Sequence, residues 1–528
     1  MNFSTPDKCG KNARFLLLSI LIASMAAGCA THQPLLDIGP EDPPRFEAVL
    51  KPLIGENGEV TAIEVDSVIY GGLQEDADRL SLTAPVVYAG AYGIADRVKA
   101  LTVTDRKGKV LLESRDDPVT PGGFPYFRHW TAQRAVEFPV RVTYHTEVEQ
   151  PTDRRGPPFN IRPSKGGVSG AGSGFIVIPE NATSSLSRVR WDLGEFPVFS
   201  TGISSWGTGE FELAGPAAGL YQGWYMAGPL GRYPATGDLD GFSAAWLGDF
   251  PFNAKTSMER VGEAYVWLGN YFGYLSPPPR YRVFMRMIQS KQTRFSGTAL
   301  SGSFMLSGGP NSGEETSNEP PDGTFFHEMI HMWVGGVEAP MGINSWFSEG
   351  LTSYYTLVLP LRGGFETLDR FAASIDRLTE KYYTSPALNM SAEEIAGVGF
   401  GDEDIRSTPY SRGTLYFADL DARIRKASGG ERNLDDFMFP IFHQRHSNPD
   451  YVFDHTAWIA ALRAELGPEA GVEFTKKVLE GETIVPASNA FGPCFKREPA
   501  TYSTENGEFA GYKWVRRSDV PDDQCADF

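Results

Sequence analysis

Over several short stretches in the first half of the chain, apolar side chains return at every second position. Val60-Thr61-Ala62-Ile63-Glu64-Val65, Leu80-Ser81-Leu82, Ala100-Leu101-Thr102-Val103 and the run from Phe138 to Tyr144 carry β-branched and aromatic residues, with Gly, Pro and Asp between them. A period of two belongs to a strand with one buried face, and the punctuating residues belong to turns. The pattern predicts strands from about 46 to 150 and again to about 235, among them Phe175-Ile176-Val177-Ile178, and such strands stack as a β-sandwich. Near 254 the spacing changes. Met258, Val261, Ala264, Tyr265 and Leu268 recur three and four apart, which predicts a helix from Ala254 to Phe272. Pro277-Pro278-Pro279 ends it, Tyr281 to Ile288 reads as a strand, and beyond about 365 the chain is mostly helical, including Leu415 to Lys426 and Thr456 to Leu466.

One predicted helix breaks the usual division into apolar and polar faces. Pro320-Pro321-Asp322-Gly323-Thr324 is a breaker run that supplies a helix start near Asp322 or Thr324, and Gly335-Gly336 supplies its end. Phe325, Phe326, Met329, Ile330, Met332 and Trp333 make this helix apolar nearly all round, hence buried. Yet His327, Glu328 and His331 sit at its centre, in a chain with eight histidines among 528 residues. Buried polar groups need partners. Histidines four apart share a face, so both imidazoles can reach one metal ion, and Glu328 is turned partway round, placed to take a proton from a metal-bound water. A second apolar and aromatic run, Asn344-Ser345-Trp346-Phe347-Ser348-Glu349-Gly350-Leu351-Thr352-Ser353-Tyr354-Tyr355, reads as a helix stopped near Pro360. Glu349 in its midst is a candidate third ligand, since a catalytic zinc takes three protein ligands and keeps one position for water.

His-Glu-x-x-His, then Trp333, then Trp346-Phe347-Ser348-Glu349-Gly350-Leu351-Thr352-Ser353-Tyr354-Tyr355, resembles the gluzincin metallopeptidases. Within them the sequence is most similar to the glycyl aminopeptidase family, peptidase family M61, and more distantly to the aminopeptidase N family. The resemblance implies one zinc ion held by His327, His331 and Glu349, with Glu328 as general base and acid. It also implies a tyrosine that stabilises the tetrahedral intermediate. Ser407-Thr408-Pro409-Tyr410-Ser411-Arg412-Gly413 resembles that segment, which makes Tyr410 the candidate, with Arg412 where the family carries lysine. In one respect the chain departs from the family. The glycine-rich stretch Phe295 to Met305 places Ala299 where relatives carry the glutamate that grips a free α-amine, and Glu314 and Glu315 in the next loop are alternative acids. The reading is therefore a zinc-dependent peptidase acting on peptide or protein substrates, with aminopeptidase specificity open. A peptide-binding surface lipoprotein that keeps the zinc fold without cleaving is the alternative.

The expected fold class is multidomain α+β. It comprises a tether at 29–45, a β-sandwich at 46–250, a thermolysin-like catalytic domain at 251–365, and a C-terminal helical domain with a tail at 366–528. Residues 1–28 read as a lipoprotein signal peptide: Lys8, Lys11 and Arg14 precede an apolar run from Phe15 to Met25, too short to span a bilayer comfortably. Ala26-Ala27-Gly28-Cys29 resembles a bacterial lipobox, which implies lipid on Cys29 and an anchor in the outer membrane facing the periplasm; simple secretion is the alternative. In that oxidising compartment Cys494 and Cys525, the pair left after Cys9 and Cys29, are expected to form a disulfide. A net charge of −18 argues against nucleic-acid binding, which needs basic surface. The glycine-rich run Gly166 to Gly174 precedes rather than follows a predicted strand and is no phosphate loop. His443, His446 and His455 lack carboxylates at ligand spacing and are expected to make ordinary hydrogen bonds.

Overall fold

The structure, a computed structural model, describes residues 45–150, 157–290, 295–310 and 319–526. Cys29, the signal segment, and Glu314 and Glu315 lie outside the described residues.

Alternation becomes layering in the N-terminal half. In the strand Arg45–Ile54 the side chains of Phe46, Ala48 and Leu50 are buried in turn, and in Val140–Glu147 those of Val140, Val142, Tyr144 and Thr146. Both belong to a seven-stranded sheet among the described residues. Its order is Glu210–Ala214, Leu186–Trp191, Arg45–Ile54, Val60–Tyr70, Val140–Glu147, Val98–Asp105, Gly108–Val110, with Arg45–Ile54 and Leu186–Trp191 parallel. The buried face shares one core with a sheet built on Ser81–Tyr88 and Tyr126–Ala132 and with residues of a third sheet, including Val168 and Tyr225. This is a β-rich N-terminal domain of stacked sheets. Phe175-Ile176-Val177 is buried as expected but is not a strand; only Ile178–Pro179 pairs, with Ser81–Tyr88. Side chains satisfy its backbone instead: the Tyr144 and Thr146 hydroxyls donate to the Phe175 carbonyl, and Val177 N–H donates to Tyr144 Oη at 2.7 Å. Gly167–Ala171 is itself a strand.

The next layer is a five-stranded sheet in the order Gly231–Tyr233, Phe242–Leu247, Tyr281–Met287, Ser303–Gly308, Ser296–Leu300. Its three central strands are parallel and Ser296–Leu300 is an antiparallel edge. Two helices pack on it, α1 Ala254–Phe272 and α2 Asp322–Val334, and further helices follow in the chain: α3 Ser345–Arg362, α4 Leu368–Tyr383, α5 Ala392–Val398, α6 Glu403–Arg406, α7 Thr408–Ala427, α8 Leu434–Ser447, α9 His455–Leu466 and α10 Pro468–Phe474. Sheet and helices share a second core, in which Phe272 stacks on Trp333 at 5.2 Å between ring centroids. Pro360 lies inside α3 rather than ending it. It falls in the last turn, and the helix closes at Gly363. The tail is not helical: Phe495–Thr504 and Gly507–Arg516 form a hairpin against α4, and a disulfide joins Cys494 to Cys525 around it. No helix of the described residues is long and apolar enough to cross a membrane.

Candidate metal centre

Helices α2 and α3 place three side chains on one point. Among the described residues, one group of His, Cys, Asp and Glu has metal-holding geometry: His327, His331 and Glu349, whose ligand atoms all lie within 4.8 Å of one another. Glu349 Oε2 is 3.1 Å from His327 Nε2 and 3.4 Å from His331 Nε2. Two ligands at zinc's usual bond length, opened to the tetrahedral angle, stand about 3.4 Å apart. The donor set and its spacing therefore fit a zinc ion.

Neighbouring groups orient the ligands. The Thr352 hydroxyl donates to the Ser348 carbonyl at 2.6 Å, so its oxygen is left to accept from His331 Nδ1–H at 3.3 Å. That bond assigns the tautomer and leaves Nε2 with the lone pair a metal needs. Thr352 is three residues after Glu349, on the same face of α3, so helical spacing alone could have singled it out. Burial works against a charge on Glu349, yet the His331 and His327 imidazoles hold its carboxyl well below the ordinary glutamate range. For His331 burial favours the neutral ring, while Glu349 raises its pKa.

Glu328 is buried on the neighbouring face of α2. Burial lifts its carboxyl above the ordinary value; His327 and His331 oppose this, Glu349 adds to it, and the Ala299 N–H donates to the carboxylate. That donor belongs to the edge strand. A Cβ on Gly297 would stand 3.1 Å from Glu328 Oε1, so the missing side chain eases the close approach of strand and carboxylate. Ala299 thus contributes backbone rather than a carboxylate.

Tyr410 reaches the same point from α7. Helices α3 and α7 meet at Gly350 and Gly413, where a Cβ on Gly350 would come 2.6 Å from the Gly413 Cα. This contact sets Tyr410 against Glu349, residues on one side of the crossing. The Tyr410 hydroxyl bonds Glu349, and its ring lies 5.8 Å from that of His327. Burial, then the Glu349 charge, push its pKa well above the usual tyrosine value, and Arg406 pulls it back. Arg406, held by Glu403 through bonds of 2.8–3.0 Å, was not singled out by the sequence reading. Arg412 points elsewhere: it is buried and donates to the carbonyls of Ala387, Leu388 and Met390, tying α7 to the loop after α4.

His327, Glu328, His331, Glu349, Arg406 and Tyr410 line a cleft of about 1240 Å³ whose walls include Phe159 of the N-terminal domain, the edge strand and α4. Of the three C-terminal histidines, His455 Nε2 accepts from Trp346 Nε1 at 3.1 Å, and His443 and His446 are exposed.

The fold is multidomain α+β, a β-rich N-terminal domain followed by the helix-covered sheet and a C-terminal helical domain. It matches the architecture of the aminopeptidase N, or M1, structures. A crystal structure of an aminopeptidase N family protein from Idiomarina loihiensis superposes with a TM-score of 0.66 at 15% identity, covering 88% of this chain and 80% of that one. The M1 zinc metallopeptidase from Deinococcus radiodurans gives 0.50 at 18% identity, covering 84% of this chain and 95% of that one. A variant of the same enzyme bound to the substrate Tyr-Ser-Ala also gives 0.50, at 19% identity and the same coverage. No protein-family model matches the chain, and no curated protein sequence matches it.

Proposed function

We propose that this chain is a zinc-dependent peptidase. One observation carries the reading: two imidazole nitrogens and a carboxylate oxygen converge at zinc-ligand spacing beside a buried, unligated glutamate. His327, His331 and Glu349 would hold a single ion. When bound, zinc supplies a water acidified to a pKa of about 7 and polarises a carbonyl.

The chain's own residues do the rest. Glu328, desolvated and raised above its ordinary value, is suited to accept a proton from the attacking water and return it to the leaving amine. The Ala299 N–H fixes its carboxylate. Tyr410, kept protonated by burial, donates its hydroxyl to the carbonyl oxygen as charge develops there. Thr352 keeps the His331 ring in register. The architecture shared with M1 peptidases, one of them crystallised with a tripeptide substrate, supports a peptide as the ligand of the cleft. Likeness to the glycyl aminopeptidase family rests on the motif residues alone.

The test is turnover of a mixed peptide library by the zinc-loaded chain, with and without chelator. Cleavage that chelation abolishes and zinc restores is expected; cleavage indifferent to chelator, or none, overturns the reading. The ends of the products separate removal of N-terminal residues from internal cleavage. Anchoring through a lipid on Cys29 in the outer membrane, facing the periplasm, is part of the same proposal. Mass spectrometry of the mature N-terminus, with Cys29→Ser as control, decides it.

A further inference from the structure

A smaller cavity of about 210 Å³ lies beside the metal cleft and shares two wall residues with it, Gly323 and Thr356. It has room for about seven waters, or one long side chain. Gly323 is four residues before His327, so the shared wall lies about one helical turn from the metal ligands. Phe326 of α2, Leu357 of α3 and Leu378 of α4 give the pocket apolar sides, while Asp322 and Glu366 give it carboxylates.

The charges are unevenly matched. Arg370 is bonded to Glu319, and Asp322 faces Arg260 at 3.6 Å. Among the described residues Glu366 makes no ion pair; burial raises its carboxyl and that of Asp322 above their ordinary values, outweighing the opposing charges of Arg370 and Arg260 on both and of Arg377 on Glu366. A group that brought positive charge into this pocket would relieve that penalty. The apolar walls suit the methylene stem that lysine and arginine carry behind their charged heads.

We infer that this side pocket receives the lysine or arginine side chain of a peptide residue flanking the bond to be cleaved, with Glu366 as its ion-pair partner; the inference rests on the peptidase reading above. Glu366 is then a specificity-determining residue that takes no part in the chemistry.

The experiment uses the zinc-loaded full chain and two matched peptide sets. In each set lysine, arginine, leucine or glutamate stands on one side of the scissile bond or the other. Wild type is expected to prefer the basic peptides over leucine by at least about 10-fold in kcat/KM at one of the two positions. Glu366→Gln should remove that preference, a loss of about 10- to 100-fold for the basic peptides, while leucine peptides turn over as before. Binding of the same peptides to the zinc-loaded Glu328→Gln variant, read by calorimetry with and without Glu366→Gln, reports on the pocket independently of turnover. Cleavage without a basic preference, or a preference that survives Glu366→Gln, overturns the pocket assignment and leaves the peptidase standing. Absence of cleavage with a Glu366-dependent preference in binding does the reverse. Neither cleavage nor selective binding overturns both.

Discussion

Two buried carboxylates in this molecule face opposite situations. Asp105, in the N-terminal domain, has a side chain 0% exposed and is filled by its own chain: Arg134 donates to both oxygens at 2.6 and 2.8 Å, and the N–H groups of Lys107 and Glu137 donate at 2.9 and 3.0 Å. Glu349 is also largely shielded, but its nearest neighbours are two imidazoles whose Nε2 atoms aim at the same oxygen. A guanidinium fork complements a carboxylate directly. Two nitrogen lone pairs and a carboxylate oxygen do not complement one another; they agree only when a proton or a metal cation lies among them. Burial of charge therefore says little about role. Whether the partners close on one another or on a common external ion separates a structural pair from a reactive centre.

The largest effect that could break this contrast lies at Glu328. Glu328→Gln keeps the shape and should leave zinc stoichiometry by elemental analysis at that of wild type. It should lower kcat by about 10²- to 10⁴-fold, the range for a lost general acid-base group. Zinc loss alongside activity loss would instead make Glu328 a ligand-shell residue. Tyr410→Phe comes next. It removes one hydroxyl and should cost about 10²- to 10³-fold in kcat, as for a lost oxyanion donor, with KM little changed in a full saturation curve. A fall confined to KM would move Tyr410 from the reacting oxygen to substrate binding.

Chelation should then divide the molecule. With free zinc at about 100 times its dissociation constant, the ion adds about 2.7 kcal/mol of stability. Hydrogen exchange after chelation should speed up in α2 and α3 and stay unchanged in Val98–Asp105 and Val140–Glu147, where Asp105 lies closed on its own partners. Uniform loss of protection would contradict the separation.

How much of this could be read beforehand follows from the range of the interactions. Short-range signals carried far. The three- and four-residue spacing of Met258, Val261, Ala264, Tyr265 and Leu268 is realised in α1, with Ala254 and Phe272 as its ends. The histidine pair on α2 and the acid on α3 come together because each lies within a helix whose apolar run and bounding residues were visible. What stayed hidden depends on contacts between distant segments. The Ala299 N–H on Glu328 exists only because a sheet edge passes α2. Phe175 to Val177 look like a strand by composition but are satisfied by the Tyr144 and Thr146 side chains. Arg412 resembles a site residue by motif position, yet its carbonyl partners 22 to 25 residues away in the chain turn it into a brace. The hairpin from Phe495 to Arg516 alternates only weakly in burial, so no clean period of two announced it.

The smallest effect tests the closed half of the comparison. Arg134 beside Asp105 holds its carboxyl down at about 2 against burial, with help from the Glu137 and Lys107 N–H groups. An aspartate in the unfolded chain titrates near 3.9. Because the folded value is the lower one, the contribution is fully present above about pH 4 and is lost as pH falls through about 2; with solvent screening at the partly exposed Arg134 its size is about 1–2 kcal/mol at neutral pH. Asp105→Asn cannot ionise and should show that deficit in urea midpoints at pH 7, with a smaller gap to wild type at pH 3 than at pH 6. Because every partner of Asp105 lies within the N-terminal domain, the substitution should leave kcat and zinc content at wild-type values. A gap that does not narrow on acidification would mean that the pair stabilises through packing rather than charge, and the contrast with Glu349 would then rest on shape alone.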